Sequence, residues 1–376
     1  GVQTCALPIL KGDITMQNRI FNFNPGPSAI PVAVLNQIQE ELLNYKSTGM
    51  SILETSHRSP EYERINDSAT ALFKEFMGIG DDFHVLFVGG GASTQFDHIP
   101  LNFLPVGGTA AYVDTGTWAS KAIKEAEKIG NVHLAGSSRD LDYTNIPNSS
   151  DLDIPKDSAY VHITSNNTIK GTQWHTFPDT KNIPLVCDMS SDICSRNLDF
   201  SRFSLIYAGA QKNLGPSGVT VVILRKDFLE KCNSDLPTMF DYRTHVNKKS
   251  LFNTPPVFAV YTLNLVLKWI KNLGGLDELE KITKAKKDIV YNLIDTYPDF
   301  FRGTVREDSR SWMNVTLRLP SEELEQKLVT KGKESGFVGL KGHRSVGGIR
   351  ISLYNGIPLE AAEKVTEFMT EFKKSN

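Results

Sequence analysis

A series of short apolar runs before residue 225, separated by segments with helical periodicity, most strongly constrains the fold of this chain. The runs are HVLFV (84–88), AAYVD (110–114), AYVHIT (159–164), PLVCD (184–188), SLIYAG (204–209) and GVTVVIL (218–224), and the first helical pattern is PVAVLNQIQEELLNY (31–45). Apolar runs of strand length with little polar alternation are typical of strands buried on both faces of a sheet. The pattern therefore predicts an α/β fold, with a mainly parallel mixed sheet flanked by helices.

The character of the sequence changes after Pro256. Two long amphipathic segments, FAVYTLNLVLKWIKNLGG and LDELEKITKAKKDIVYNLIDTYP, precede two strand-like runs and two further helical patterns. We expect a large domain over residues 16–268, whose N-terminal segment packs near the active site, and a smaller α+β domain over 269–376. Residues 1–15 lack the basic region, apolar core and cleavage site of a signal peptide, so we expect a non-native or disordered leader before a natural start at Met16.

Composition excludes several classes of protein. The net charge is −2, whereas a nucleic-acid groove or a surface for anionic membranes requires a basic excess. No apolar run reaches about 18 residues, so no membrane span is predicted. The 4 cysteines lack metal-binding spacing, which favours reduced thiols in a cytoplasmic protein without a metal site.

The segment SLIYAGAQKNLGPSG places a single lysine, Lys212, in a loop of small residues between two apolar runs. A desolvated amine has a lowered pKa, and its neutral form can attack a carbonyl to form a Schiff base. Spacing alone favours the alternative, a solvated lysine at the end of a strand, because lysine is rarely buried. Other features of the sequence must therefore decide between the two interpretations.

Three such features lie along the same predicted sheet. FVGGGASTQF (87–96) carries glycines into Ser93 at a helix start, where free backbone N–H groups can hold a phosphate, although a purely structural turn fits as well. Asp188 ends the PLVCD run, where its carboxylate faces the carboxyl edge of the sheet or caps the following turn. Trp118 begins a helix, where it can cover a flat ring or fill the core.

In this order, the features resemble the fold-type I, class-V enzymes that use pyridoxal 5'-phosphate, and within them the phosphoserine aminotransferase family. The resemblance covers roughly residues 19–374. It is carried by FNFNPGP, ETSHRSPEY, GGGASTQF, YVDTGTWA, SNNTIKG, DMSSDI, YAGAQKNLGPSG, LFNTPP, GHRSVGGIR and SLYNGIPLE. Several of these segments together are far more specific than any one of them.

The resemblance implies a role for each residue around the cofactor ring. Lys212 would form the internal aldimine and act as the catalytic residue. Asp188 would keep the pyridine nitrogen protonated, so that the ring withdraws electrons from the substrate. Trp118 would stack on the ring, and Thr168 would bond near the ring hydroxyl.

The resemblance also implies how the cofactor phosphate is held. Ala92, Ser93 and Gln211 would bind it, with Asn253 and Thr254 reaching over from the partner subunit. A homodimer with active sites at the subunit interface is therefore implied. The family often carries Gly-Arg or Cys-Gly where this chain has Ala92-Ser93, so the backbone donors are expected to matter more than side chains there.

Substrate binding is implied for two His-Arg pairs and one further arginine. Arg350 would bind the α-carboxylate, and His57, Arg58, His343 and Arg344 would surround the phosphate or the side-chain carboxylate. A single arginine is usually surface charge, but the arginine fork suits the carboxylate and phosphate that such a substrate carries.

The implied reaction is the reversible transfer of the amino group from glutamate to 3-phosphohydroxypyruvate, giving O-phospho-L-serine and 2-oxoglutarate in serine biosynthesis. Action on 4-phosphohydroxy-L-threonine in vitamin B6 synthesis stays open. Alanine–glyoxylate aminotransferases and cysteine desulfurases are alternatives within the cofactor class, although no loop cysteine stands in the C-terminal part. A nicotinamide-dependent oxidoreductase is disfavoured because Thr94 occupies the place of the third glycine of the dinucleotide motif, and an intact lysine loop disfavours a non-catalytic scaffold.

Overall fold

The computed structural model describes residues 19–376, so the expected leader and the start at Met16 lie outside the described residues. The helices are α1 (Val32–Glu41), α2 (Pro60–Met77), α3 (Gly91–Phe103), α4 (Thr117–Ala126), α5 (Lys226–Leu229), α6 (Tyr242–Asn247), α7 (Val257–Asn272), α8 (Leu276–Thr296), α9 (Glu322–Glu334) and α10 (Leu359–Lys374). The strands are β1 (Phe21–Asn22), β2 (Phe83–Val88), β3 (Thr109–Asp114), β4 (Asn131–Ser137), β5 (Val161–Thr164), β6 (Asn166–Asn167), β7 (Thr172–Gln173), β8 (Leu185–Asp188), β9 (Leu205–Gly209), β10 (Thr220–Arg225), β11 (Arg302–Gly303), β12 (Asn314–Arg318), β13 (Phe337–Val338) and β14 (Ile349–Ser352).

A seven-stranded sheet with the order β2-β10-β9-β8-β5-β3-β4 forms the centre of the larger part of the molecule. β10 runs antiparallel to both of its neighbours, and every other neighbouring pair is parallel. Since β2 and β9 both oppose β10, the carboxyl ends of β2, β9, β8, β5 and β3 lie at one edge. The predicted mainly parallel sheet is confirmed, and its carboxyl edge is where a parallel α/β sheet places its ligands.

Helices cover both faces of this sheet. Along β10, Val221 and Ile223 pack into a core with α2 and α7, whereas Val222 and Leu224 pack into a second core with α3 and α4. Successive side chains of a strand point to opposite faces, so an all-apolar strand can serve two cores at once. This double burial explains why the sheet appears in the sequence as continuous apolar runs.

The C-terminal part forms a separate core. β11, β12 and β14 make an antiparallel sheet, and Val315 of β12, Ile351 of β14 and Val365 of α10 are fully buried together. Helix α8 joins the two parts, because Leu279 packs into the core of the large sheet and Ile294 into the C-terminal core.

The N-terminal segment crosses from one part to the other. β1 pairs in parallel with β13, and Phe23 is fully buried in the C-terminal core. The chain then passes Lys212, where the Ser28 backbone N–H donates to the Gln211 carbonyl at 2.9 Å. The segment therefore links the C-terminal sheet to the lysine loop.

Two local predictions were wrong. The edge strand β4 was not predicted, because its sequence NVHLAGS alternates weakly and most of its side chains are partly or fully exposed. The helix predicted over 31–45 ends at Glu41, and Tyr45 instead packs edge-on against the ring of Tyr261 at 5.6 Å between centroids. Within residues 19–376, no helix has both the length and the hydropathy needed to span a membrane.

Candidate active site

Lys212 lies in the turn between β9 and β10, at the carboxyl edge of the sheet. Its Nζ donates to the Thr168 hydroxyl at 2.7 Å and lies 5.8 Å from the centre of the Trp118 ring. Burial lowers the pKa of Lys212 to about 8; Asp188 opposes this shift and Arg350 adds to it. A pKa this close to neutrality leaves part of the amine uncharged, which is what nucleophilic or base chemistry requires.

The lysine loop is held from two sides. Ser28 donates its hydroxyl to the carbonyl of Lys212, and a Cβ at Gly26 would lie 3.3 Å from the lysine side chain. Asn213 donates to the Ile193 carbonyl at 3.1 Å and accepts from the Asn355 backbone N–H at 3.1 Å. The loop that carries the amine is thus tied to the N-terminal segment and to the C-terminal part.

Asp188 ends β8 and is 5% exposed. Its Oδ1 accepts the Ser190 backbone N–H at 2.9 Å. Burial raises the pKa of the Asp188 carboxyl, while the hydrogen bonds from Ser190 and the charge of Lys212 oppose the rise. A buried carboxylate beside a buried amine is a pair whose protonation states depend on each other.

Trp118 and Thr168 are positioned together by the side chain of Asn167. The Asn167 amide donates to the Thr115 hydroxyl at 3.1 Å, and a Cβ at Gly116 would lie only 2.8 Å from Asn167 Oδ1. Glycine is therefore required where the turn before α4 approaches Asn167, the residue that precedes Thr168. The indole and the threonine hydroxyl reach the lysine from two neighbouring strand ends.

Arg350 on β14 connects the C-terminal sheet to this cluster. It is 5% exposed, and its Nη1 donates to the Thr168 carbonyl at 3.1 Å. No salt bridge within residues 19–376 involves Arg350, although lone buried charges are costly. A buried guanidinium without a carboxylate partner is suited to bind an anionic ligand.

Arg350 also lines a cavity of about 240 Å³ between the C-terminal sheet and the loop that follows β4. The basic residues on its wall are Lys170, Arg302, Arg318, His343 and Arg350. Asp142 pairs with Lys170 at 2.6 Å, and Glu325 pairs with Arg318 at 2.6 Å. Sequence reasoning did not select Lys170, Arg302 or Arg318; Arg302 and Arg318 face each other in the register of β11 and β12, which no local pattern reveals.

His343 is partly buried in the same cavity, whereas Arg344 is exposed. Partial burial lowers the pKa of His343, and the charges of Arg350 and Arg344 lower it further. The second predicted His-Arg pair therefore lies beside Arg350, with the histidine held towards its neutral form.

The predicted phosphate site lies at the start of α3, where Gly90 and Gly91 have φ of 91° and 70°. No side chain caps this helix start, so its first backbone N–H groups point outward. Ala92 is partly buried against the core that includes Trp118, and Ser93 is exposed. Since β2 and β9 end at the same edge of the sheet, this helix start lies on the same side of the sheet as Lys212.

Gln211, Asn253, Thr254, His57 and Arg58 are the remaining predicted residues, and in the described chain the last four of them are not bonded to Lys212. The carboxamide of Gln211 covers Gly209, where a Cβ would lie 2.6 Å from its Oε1. Asn253 and Thr254 are exposed in the loop before α7, and Arg58 is exposed before α2, next to a partly buried His57. Among residues 19–376, no hydrogen bond or salt bridge brings these last four residues to Lys212.

Comparison with known proteins identifies the family of this chain. The model of the family "Aminotransferase class-V" matches residues 20–365. The chain is 54% identical to the phosphoserine aminotransferase of Desulfatibacillum aliphaticivorans, over 96% of this chain and 100% of that protein. It is 52% identical to the phosphoserine aminotransferase of Halalkalibacterium halodurans, over 95% and 99% of the two chains.

A solved structure gives the same result. The phosphoserine aminotransferase from Bacillus circulans subsp. alkalophilus superposes with a TM-score of 0.93, at 51% identity, over 95% of this chain and 99% of that one. The chain belongs to the class-V aminotransferase family.

Proposed function

We propose that this protein is a phosphoserine aminotransferase. It transfers the amino group of glutamate to 3-phosphohydroxypyruvate, reversibly, and gives O-phospho-L-serine and 2-oxoglutarate for serine biosynthesis. The observation that carries the proposal is the amine of Lys212, with a pKa of about 8, bonded to Thr168 at 2.7 Å and electrostatically coupled to Asp188. The relatives at about half identity, which carry this name over nearly their full length, support the same activity.

Pyridoxal 5'-phosphate is the proposed cofactor, and the residues present fit it. Trp118 Nε1 is buried and has no hydrogen-bond partner among the described residues, and Asp188 offers a buried carboxylate to a ring nitrogen. The uncapped start of α3, with Ala92 and Ser93, offers backbone N–H groups to a phosphate. Among the solved relatives, one phosphoserine aminotransferase contains a Schiff base, and the phosphoserine aminotransferase of Trichomonas vaginalis is bound to this cofactor.

When bound, the cofactor supplies a carbonyl for the amine and an electron-withdrawing ring for the substrate carbanion. Lys212 holds its Nζ beside Thr168 and accepts the proton from the substrate Cα, because part of the amine is uncharged near neutral pH. Asp188 would hold a negative charge against the ring nitrogen. Trp118 would cover the ring face, and the Thr168 hydroxyl, bonded to Nζ of Lys212, orients the amine.

Arg350 binds the substrate α-carboxylate in this proposal. Its guanidinium has no carboxylate partner in the described chain, and its fork fits a carboxylate with two parallel hydrogen bonds. Arg344, with Lys170, Arg302 and Arg318 in the adjacent cavity, adds the positive potential that a phosphate-bearing substrate requires, and His343, held towards its neutral form, offers a hydrogen bond. A substrate without phosphate would not need so many cations.

We also propose that the enzyme acts as a homodimer. Asn253, Thr254 and Arg58 are exposed and His57 is partly buried in one subunit, and none of the four is bonded to Lys212 in the described chain, so a partner subunit would bring them to a cofactor phosphate or a substrate. Large apolar side chains lie exposed in the neighbouring sequence, with Leu53 at 61% and Phe252 at 42% exposure. Burying such side chains against a second copy would stabilise the dimer.

Three finer points belong to the same proposal. We place the enzyme in the cytoplasm, on the basis of the free cysteines of the described chain. We divide it after residue 268, within α7 and before the helix that bridges the two cores. 4-Phosphohydroxy-L-threonine is proposed as a second product, since its phosphate and carboxylate match the same cations.

The proposal is tested by the visible spectrum of the purified protein during half-reactions. Phosphoserine and glutamate should convert the cofactor to its amine form much faster than alanine does. Faster conversion by alanine would favour an alanine–glyoxylate aminotransferase. A colourless protein that binds NADH would contradict the whole cofactor assignment.

A further inference from the structure

Three neighbouring strands place buried polar side chains in a row behind Asp188. Asp188 of β8 and Tyr207 of β9 are direct partners in the register of the sheet, and His162 lies on β5 on the other side of β8. Their exposed fractions are 5%, 0% and 1%. Nothing in the proposed mechanism uses Tyr207 or His162, although burying polar groups without a purpose is costly.

His162 and Tyr207 are joined by a hydrogen bond, and Tyr207 stands directly beside Asp188 in the sheet. His162 Nε2 lies 3.0 Å from the Tyr207 hydroxyl oxygen. Tyr207 is the direct partner of Asp188 in the register of β9 and β8, and its hydroxyl lowers the pKa of Asp188 against the effect of burial. On the side of His162 away from Asp188, the ring of Tyr112 stacks on the imidazole, with 4.7 Å between the ring centroids.

The direction of the protons follows from burial. Burial lowers the pKa of His162 to about 3, so its ring is neutral and carries one N–H. His162 Nδ1 is buried without a hydrogen-bond partner among the described residues. Because an unpaired buried N–H is more costly than an unpaired lone pair, the proton belongs on Nε2, which then donates to the Tyr207 oxygen.

Tyr207 therefore receives a hydrogen bond from His162 and has its own O–H left for Asp188. Burial raises the pKa of Tyr207, so this hydroxyl stays protonated. Hydrogen bonds that run in one direction polarise and strengthen one another in a low-dielectric interior. The arrangement of donors from His162 through Tyr207 therefore favours the ionised form of the Asp188 carboxylate.

We propose that Tyr207 and His162 are positioning residues that orient the Asp188 carboxylate and keep it ionised, so that it can hold the ring nitrogen of the cofactor protonated. This inference rests on the proposed function, since it needs a pyridine ring at Asp188. Neither residue touches substrate or cofactor in this account; both act through Asp188.

The chain offers a matched control in the same layer. Tyr160 is also 0% exposed, and its hydroxyl lies 2.9 Å from that of Tyr112. Tyr160→Phe removes the same atom from an equally buried tyrosine, but from one that is not bonded to Asp188. A merely structural role for Tyr207 would make the two Phe variants alike.

The experiment compares wild type, Tyr207→Phe, His162→Gln and Tyr160→Phe as apoproteins titrated with pyridoxal 5'-phosphate, and then as holoproteins with ¹⁵N in the cofactor ring. We expect Tyr207→Phe to raise the Kd for the cofactor about tenfold and to move the ring ¹⁵N signal towards unprotonated pyridine. His162→Gln should move both readouts in the same direction by less. Tyr160→Phe should leave both within about twofold of wild type, even where its Tm falls.

The inference is overturned if Tyr207→Phe and Tyr160→Phe behave alike in both readouts. If Tyr207→Phe does not fold, His162→Gln decides, and a wild-type Kd and ¹⁵N signal in that variant overturn the inference. Failure of the proposed function looks different, because the wild-type apoprotein would then not bind the cofactor at all, and that result would also overturn the inference.

Discussion

The candidate site has two regions that differ in how they are held. The inner wall consists of Lys212, Thr168, Asp188, Trp118 and Arg350. The rim consists of His57, Arg58, Asn253, Thr254 and Arg344. On the inner wall, side chains from separate strand ends meet within one subunit, as in the bond from Lys212 to Thr168 at 2.7 Å and from Arg350 to the Thr168 carbonyl at 3.1 Å.

The rim residues, in contrast, are mostly exposed and are held by few side-chain bonds; Asn253, for example, reaches only the neighbouring Thr254 carbonyl, at 3.4 Å. The difference separates groups that are buried and fixed within one subunit from groups that lie exposed at its surface. Groups that need a shifted pKa are buried and fixed by the fold. Groups that supply only positive charge or hydrogen bonding lie at the surface, where the proposed partner subunit would contact them. Substitutions in the two regions should therefore have effects of different size and kind.

The largest expected effect is on the inner wall. Lys212→Ala removes the amine that we propose attacks the carbonyl and moves the Cα proton, and we expect turnover to fall at least about 10³-fold. The visible band of the covalently attached cofactor should disappear from the spectrum. Lys271→Ala, at an exposed salt bridge with Glu75, is the control and should keep both. A Lys212→Ala protein that retained turnover and band would refute the assignment of the lysine.

Arg350→Lys tests the part of the inner wall that recognises substrate. Lysine keeps the charge but loses the fork, so we expect KM for glutamate and for phosphoserine to rise about 10- to 100-fold, with a smaller change in kcat. Steady-state kinetics measure the changes in KM and kcat separately. A Tm close to that of wild type would exclude unfolding as the cause of a raised KM. An unchanged KM for both substrates would place the carboxylate elsewhere.

Much of the inner wall could be predicted from sequence because its residues follow strands. Thr168 was implied only by the family resemblance, whereas Asp188 ends β8 and Trp118 follows β3, and the carboxyl ends of parallel strands meet at one edge. That rule places Asp188 and Trp118 near Lys212 without any three-dimensional information. The pairwise roles implied by the family resemblance stay predictions, although the contacts around Lys212 are consistent with them.

Other parts of the site could not be predicted, because their residues meet only through the pairing of strands or through the contacts that buried side chains make between strands. Arg302 and Arg318 meet only through the pairing of β11 with β12. Tyr207 and His162 belong to runs that look like buried strands, SLIYAG and AYVHIT, and nothing local marks their side chains as hydrogen-bonded to each other. The edge strand β4 was missed for the opposite reason, since half-exposed strands lack a strong pattern.

The rim should show a smaller effect that depends on the partner subunit. The double variant His57→Ala/Arg58→Ala leaves Lys212 intact, and we expect it to lose about tenfold in kcat/KM, more weakly at high salt because exposed charges are screened. Mixed with Lys212→Ala subunits through unfolding and refolding, it should regain activity. About a quarter of all sites would then combine an intact lysine from one chain with an intact rim from the other. No recovery on mixing would mean that the rim acts within its own subunit, or not at all.

The smallest effect is expected at Ser93, which is exposed at the uncapped start of α3. If the phosphate is held by backbone N–H groups, Ser93→Ala should change the Kd for pyridoxal 5'-phosphate by less than about threefold, since the backbone donors stay in place. Ser93→Asp keeps the same backbone but places a carboxylate where the phosphate binds, and the repulsion should raise the Kd about tenfold or more. Titration of the two apoproteins separates these cases. Equal effects of both substitutions would mean that the hydroxyl, and not the helix start, holds the phosphate, whereas no effect of Ser93→Asp would place the phosphate away from α3.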